Sequence, residues 1–433
     1  MSAVKGWCPG AHRPMLTGDG LLVRIRPHGG VLTDAAMLGI ADCAAQFGSG
    51  LIEVTSRANV QIRGVTEATY TPLIAALGTL GLLDPDAGSE NRRNVLASPL
   101  AGCDPRARLD IRPAVTALEA ALTADTSLAA LPAKFGFVIE DGGSFDLSDV
   151  DADVRFTALQ AEEAIYFAVS IPDGTDGDWI IHMCAPETAP SLALKIARTF
   201  TDLSQGRQAT RRMRDLIGHI GLAHFVDALD LENGPLPPFQ SRTARHSGAD
   251  CLGFHADARF TGVAMPFGRW TAGSFRGLAE AARRFGCGEL RLTPWRAILI
   301  PGVAAEASAK LHETLTALGG ILDPADPRLA VIACPGAPYC LSATTATQTD
   351  ALALAAAARR LTPTGIALHV SGCAKGCARR AAAPATLIGN DGRYDLVFDG
   401  NAQDSPHLHK LSLDDAARLL CERAEQMNES AAL

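Results

Sequence analysis

The sequence predicts a duplicated α+β protein, and three observations carry that expectation. FGSGLIEVTSRANVQIRGV, beginning at Phe47, lies without a gap on FGCGELRLTPWRAILIPGV, beginning at Phe285. Around both copies, apolar runs of period two alternate with runs of helical spacing. Further along, VLASPLAGCD (from Val95) lies without a gap on VIACPGAPYC (from Val331), so the repeat extends past its first unit.

The elements follow in order. LLVRI, 21–25, reads as a strand, and Thr33 is placed to cap a helix over 34–47. GSG then turns the chain into a strand over 51–55, with a second in NVQIRGV and a helix over 71–80. In the second copy Gly286, Gly288, Thr293 and Gly302 stand opposite Gly48, Gly50, Thr55 and Gly64, and the register reaches back to Ala44 and Ala282. Between the copies the pattern predicts a helix over 113–124 and a strand in FGFVIED. Weaker strands follow over 154–159, 164–170 and 179–183, then helices over 190–203 and 210–216. NGPLPPFQSR, 233–242, is Pro-rich and polar and reads as a linker. An amphipathic helix over 412–426 closes the chain. Four units result: half-domain 1 over 1–85, lobe 1 over 86–240, half-domain 2 over 241–322 and lobe 2 over 323–433.

Bulk properties narrow the function classes. The 433 residues exceed one ordinary core, and 47% apolar residues suffice to build several. A net charge of −8 argues against a general nucleic-acid binder. Eleven cysteines in so long a chain do not resemble a disulfide framework and fit a reducing compartment. MSAVKGWCPGAHRP lacks the apolar stretch of a signal peptide, and ALALAAAA is too short to span a bilayer. The expectation is a cytoplasmic protein with no membrane or nucleic-acid partner.

Four cysteines carry the chemistry. Cys334 and Cys340 are separated by five residues, Cys373 and Cys377 by three, and each pair leaves a strand-like run for a loop rich in Gly. Such loops turn backbone N–H groups toward an anionic centre. Four thiolates converging from two strand ends suit a [4Fe–4S] cluster. A structural zinc, which usually takes C-x-x-C intervals, and plain buried thiols are the alternatives. In the first half Ser98 stands opposite Cys334 and Asp104 opposite Cys340, with Cys103 one place off, so only the second half is expected to hold the centre.

The cysteine pairs, the duplicated halves and NRRNVLASP resemble the sirohaem sulfite and nitrite reductases. KGWCPGAHRPMLTGDGLLVRIRP narrows the resemblance to the precorrin-3B synthases of that superfamily. The resemblance implies two ferredoxin-like half-domains joined pseudo-symmetrically, flanked by two α/β lobes, with a tetrapyrrole beside the cluster. It also implies a monooxygenase that converts precorrin-3A, dioxygen and reducing equivalents into precorrin-3B, hydroxylated at C-20 and closed to a γ-lactone. A mononuclear non-haem iron is implied with it. The chain shows no H-x-D or H-x-E pair in 21–65 or 91–140, and His255-Ala256-Asp257 reads as a loop, so no ligand of that iron is assigned. No dinucleotide fingerprint follows a strand, so an external donor, NADH-linked or a reductase protein, is expected. The competing readings are a sirohaem reductase and a non-enzymatic iron–sulfur electron carrier.

By position, the reductases' anion-binding T-x-R arginine matches Arg57, their N-R-N-V arginine matches Arg93 beside Arg92, and the first lysine of their K-F-K matches Lys134. These four, Arg57, Arg92, Arg93 and Lys134, are the expected substrate-binding residues, with Arg24 and Arg26 as further candidates. The second lysine of K-F-K is replaced by Gly136. A small anion being reduced needs clustered cations, so this loss weakens the reductase reading.

Overall fold

Alternation decides the first sheet. In Gly20–Ile25, Leu51–Val54 and Val60–Val65, the side chains of Val23, Ile25, Ile52, Val54, Val60 and Ile62 fall on one face and are buried, each contributing about 1.5–3 kcal/mol. That face packs on helix Asp34–Phe47, which begins where Thr33 accepts a bond from Ala36 N at 3.1 Å, as expected. The computed structural model describes residues 8–161, 164–172, 177–207, 210–231 and 248–431. The linker read over 233–242 lies outside them.

Each half-domain sheet is completed by the other half. Its order in the first is Met15–Thr17, Gly20–Ile25, Val60–Val65, Leu51–Val54 and then Arg269–Thr271, a strand of the second repeat. The second sheet runs Gly253–His255, Phe260–Ala264, Ala297–Pro301, Glu289–Leu292 and then Val31–Thr33, a strand of the first. The exchanged strands pair in equivalent registers, Leu32 with Leu290 and Trp270 with Ile52. Helices Asp34–Phe47 and Ala272–Phe285 meet at the centre, and one core serves both halves. The helix expected over 71–80 is Glu67–Thr79. It starts four residues earlier because Thr66 and Thr69 cap its first turn reciprocally, which puts Pro72 inside it.

The lobes repeat one topology. In the first, Val95–Ala97, Phe137–Glu140 and Val154–Ala161 are parallel, followed by antiparallel Ala164–Pro172 and Asp178–Cys184. In the second, Val331–Ala333, Leu368–Ser371 and Ala383–Asn390 are parallel, followed by antiparallel Arg393–Gly400 and Leu408–Leu411. The last three strands were not among the expected elements. The helix expected over 210–216 is displaced to Met213–Ile220, and a further helix, Leu222–Leu229, follows it across Gly221. Among the described residues no helix is long and apolar enough to cross a membrane.

Candidate cluster and anion site

Parallel strands Val331–Ala333 and Leu368–Ser371 end side by side, and the two cysteine loops leave from that end. Cys334 follows the first strand directly, and its Sγ accepts a bond from Gly372 N at 3.2 Å. A Cβ on Gly372 would strike Ala343, and one on Gly336, at φ +67°, would strike Thr347. These glycines let the loops close around the thiols. Burial, and then Cys373, Cys334 and Cys340, push the Cys377 thiol up from its ordinary value, so the two loops bring the other three thiols within electrostatic reach of Cys377. Among the described residues no group of three or more His, Cys, Asp or Glu side chains is placed to hold a metal ion, so no ligand set for the implied non-haem iron is assigned.

The equivalent corner of lobe 1 is closed by hydrogen bonds. Asp141 N donates to Ser98 Oγ at 3.0 Å, the counterpart of Gly372 N on Cys334 Sγ. Asp104, opposite Cys340, accepts from Ser144 N at 2.5 Å and from Ser144 Oγ at 2.9 Å. Oxygen atoms bonded directly across the gap stand where the second lobe has thiols.

The cluster loop docks on the polar face of the first sheet. Gly18 N and Arg63 Nη2 both donate to Tyr339 O, at 3.0 and 3.2 Å. The Arg269 guanidinium lies 4.4 Å from the Tyr339 ring centroid, and Glu53 accepts from both Arg63 and Arg269. This face also carries Arg24, Arg26 and Gln61. With its amide oriented to satisfy both neighbours, Gln61 accepts from Arg24 Nε and Nη2 at 2.9 and 2.6 Å and donates to Glu53.

The arginines here divide into two kinds. Arg63 is 1% exposed and ion-paired to Asp19 and Glu53. Arg93 is paired to Asp84 at 2.6 Å and Glu119 at 3.4 Å and donates to Arg26 O; burial opposes its charge, but the two carboxylates outweigh it and hold its pKa above the ordinary value. Arg24, Arg26, Arg57 and Arg296, by contrast, form no ion pair among the described residues. Burial pulls the pKa of each down, for Arg24 to about 10; Arg26 adds to this at Arg24 and Arg212 at Arg57, while Glu90 opposes it at Arg26 and Glu53 at Arg296. Arg26 Nε is buried with no partner. Arg26 is buried and Arg24, Arg57 and Arg296 are half-buried, and together they make this face basic.

The expected residues fare differently. Arg57 lies in this cleft, its guanidinium over Gly136 of lobe 1. Arg93 borders it but is spent on Asp84 and Glu119. Arg92 points away, capping helix Arg112–Ala124 through Leu122 O and Thr123 O at 3.0 and 2.9 Å. Lys134 is exposed. Arg296, missed from the sequence, has a signal only in the duplication: it stands opposite Ala58, and both take positive φ in the same turn.

The pseudo-equivalent face of the second sheet is largely apolar, with Arg291 at the Glu53 position as its buried charge. Gly262, Ala264 and Leu299 replace Arg24, Arg26 and Gln61, and Trp295 replaces Arg57. Leu100 and Phe145 of lobe 1 fill the space with Cys251, Leu252 and Leu299. A Cβ at Gly262 would overlap Cys251 O. One cleft of the pair is basic, and the other is plugged.

Comparison with known proteins agrees with this architecture. The nitrite/sulfite reductase ferredoxin-like half domain matches residues 13–80 and 255–318, and the nitrite and sulphite reductase 4Fe-4S domain matches 88–234. The chain belongs to the nitrite and sulfite reductase superfamily. Its relatives include a precorrin-3B synthase from Sinorhizobium sp, 31% identical over 93% of this chain and 84% of that protein. A ferredoxin–nitrite reductase from Synechococcus elongatus is 26% identical over 94% of this chain and 84% of its own. The structure of the Mycobacterium tuberculosis NirA protein superposes with a TM-score of 0.72 at 22% identity, over 92% of this chain and 79% of that one, a likeness of fold. The duplicated ferredoxin-like and α/β architecture expected from the sequence is thereby established, and an iron–sulfur cofactor and an oxidoreductase activity are supported. The matched 4Fe-4S segment is lobe 1, whereas the four paired cysteines lie in its structural duplicate, lobe 2.

Proposed function

We propose that this chain is a precorrin-3B synthase, which hydroxylates precorrin-3A at C-20 with dioxygen and external electrons and closes the γ-lactone. The observation that carries the reading is the likeness to the Sinorhizobium precorrin-3B synthase along nearly the whole of both chains. The cleft supports it. A precorrin bears many acetate and propionate groups, and planar guanidiniums pair with carboxylates through two parallel bonds. Arg24, Arg26, Arg57 and Arg296 would hold the macrocycle on the polar face of the first sheet, with Tyr339 linking that face to the cluster loop. Cys334, Cys340, Cys373 and Cys377 would ligate a [4Fe–4S] cluster, which supplies one-electron transfer when bound. The protein's own part is binding, orientation and exclusion of water.

Anaerobic titration of the cluster-loaded protein with precorrin-3A, followed by admission of oxygen and a reductant, tests this. Saturable binding and formation of a product heavier by one oxygen atom are expected. Absence of binding, or an intense tetrapyrrole spectrum in the protein as purified, would point to a sirohaem reductase instead. The nitrite reductase relatives keep that second reading in view. Gly136, where the reductases carry a lysine, stands against it.

A further inference from the structure

Gly136 has no backbone reason to be glycine. Its φ is not in the left-handed region, and its N–H and C=O make ordinary bonds, to Asp153 Oδ2 at 2.9 Å and from Asp153 N at 2.8 Å. The reason is space. A Cβ here would sit 2.9 Å from Arg57 Nη1 and 2.9 Å from Asn94 Nδ2. Asn94 is held by its bond to Phe135 O at 2.9 Å, whereas Arg57 is the free end of a long side chain with no ion pair. Any side chain at 136 therefore displaces Arg57. The carboxylates that act on Arg57, Asp151 and Asp153, are both already bonded to Arg212.

We infer that Gly136 is the specificity-determining residue of this face: by leaving its side-chain space to the Arg57 guanidinium, it sets a carboxylate-binding fork there. The inference rests on the proposed function and deepens it. A lysine at 136 would add an ammonium for a small inorganic oxyanion and would also push aside the fork that matches a carboxylate edge. One position thus trades one ligand class for the other, acting on the ligand through Arg57 rather than by touching it.

The test is a double-mutant cycle on the cluster-loaded full chain: parent, Gly136→Ala, Arg57→Ala and the double variant. Anaerobic precorrin-3A titration reads affinity, and visible absorption reads cluster retention. Gly136→Ala should weaken binding tenfold or more with the cluster spectrum unchanged. The double variant should bind no worse than Arg57→Ala alone, since both changes remove the same fork. Unchanged affinity in Gly136→Ala, or losses that multiply in the double variant, overturns the inference while the functional reading stands. No binding by the parent overturns both. If Gly136→Ala does not fold, Arg57→Lys takes its place: it keeps the charge but removes the planar fork, and should weaken binding at least threefold, and unchanged affinity refutes the inference.

Discussion

Replacing Arg24 by Met and, separately, Arg93 by Met should have different consequences, though both are arginines withdrawn from solvent, Arg24 in part and Arg93 fully. Burial and Arg26 draw the Arg24 pKa from 12.5 to about 10, which corresponds to a cost on the order of 3 kcal/mol for carrying the charge in the folded state. The sign is that of a depressed cation. The cost is fully present at pH 7 and fades only as pH rises through about 10, where the folded form loses its proton before the unfolded one. Two bonds to Gln61, each about 1.5 kcal/mol for a charged donor, offset most of it. Arg24→Met should therefore leave Tm within about 2 °C of the parent while weakening precorrin-3A binding roughly tenfold to a hundredfold. Arg93→Met strands Asp84, about 5% exposed, and takes one partner from Glu119, which keeps His28 and Gly29 N, and should cost about 3–5 kcal/mol. At roughly 2 °C per kcal/mol, that lowers Tm by about 6 °C or more. Thermal scans of cluster-loaded protein and anaerobic titration give both readouts. If Arg24→Met falls as far in Tm as Arg93→Met, or binds the macrocycle normally, the division into paired structural arginines and unpaired ligand-binding ones is wrong.

Three further outcomes are expected. Cys334→Ala, Cys340→Ala, Cys373→Ala and Cys377→Ala should each lose most iron and acid-labile sulfide; four variants with full content would show that the centre lies elsewhere. Reduced methyl viologen should not be oxidised steadily by sulfite or nitrite, and turnover at ~1 to 10³ per second would favour the reductase reading. Burial lifts the Asp141 carboxyl to about 6, so ionising it destabilises the fold as pH rises from about 4 to 6. Asp141→Asn should remove that loss, worth on the order of 2 to 3 kcal/mol at pH 7, and flatten Tm between pH 4.5 and 7; an unchanged slope would refute it.

Much of this was legible in the residues because the chain says it twice. The helix over 34–47 carries its cap in Thr33, and the turn holding Arg57 is announced by matched glycines and threonines in both copies. What escaped is long-range. Val31–Thr33 and Arg269–Thr271 are three residues each, too short for any period, and become strands only because the opposite half supplies an edge. Ala383–Asn390 contains Ala, Pro and Gly, poor strand formers that the neighbouring strand overrides. Position alone could not sort the arginines either: Arg92 and Arg93 are adjacent, yet one caps a helix and the other joins Asp84, while the partners that decide this lie up to 67 residues away.

The exchanged strands describe a history as well as a fold. Cut between its repeats, the molecule would leave two units, each lacking one edge strand and each shaped to receive the one the other offers. Two identical copies of such a unit would close into a twofold dimer by the same exchange, with two identical clefts. While the copies stay identical, any charge added to one cleft is added to the other. Joining them in one chain lifts that constraint: Arg24 and Gly262, or Arg57 and Trp295, are free to diverge at matched positions. The tether licenses inequality, and a basic face and its plugged, rotation-related counterpart are what an obligate partnership can become once the partners no longer share a gene copy.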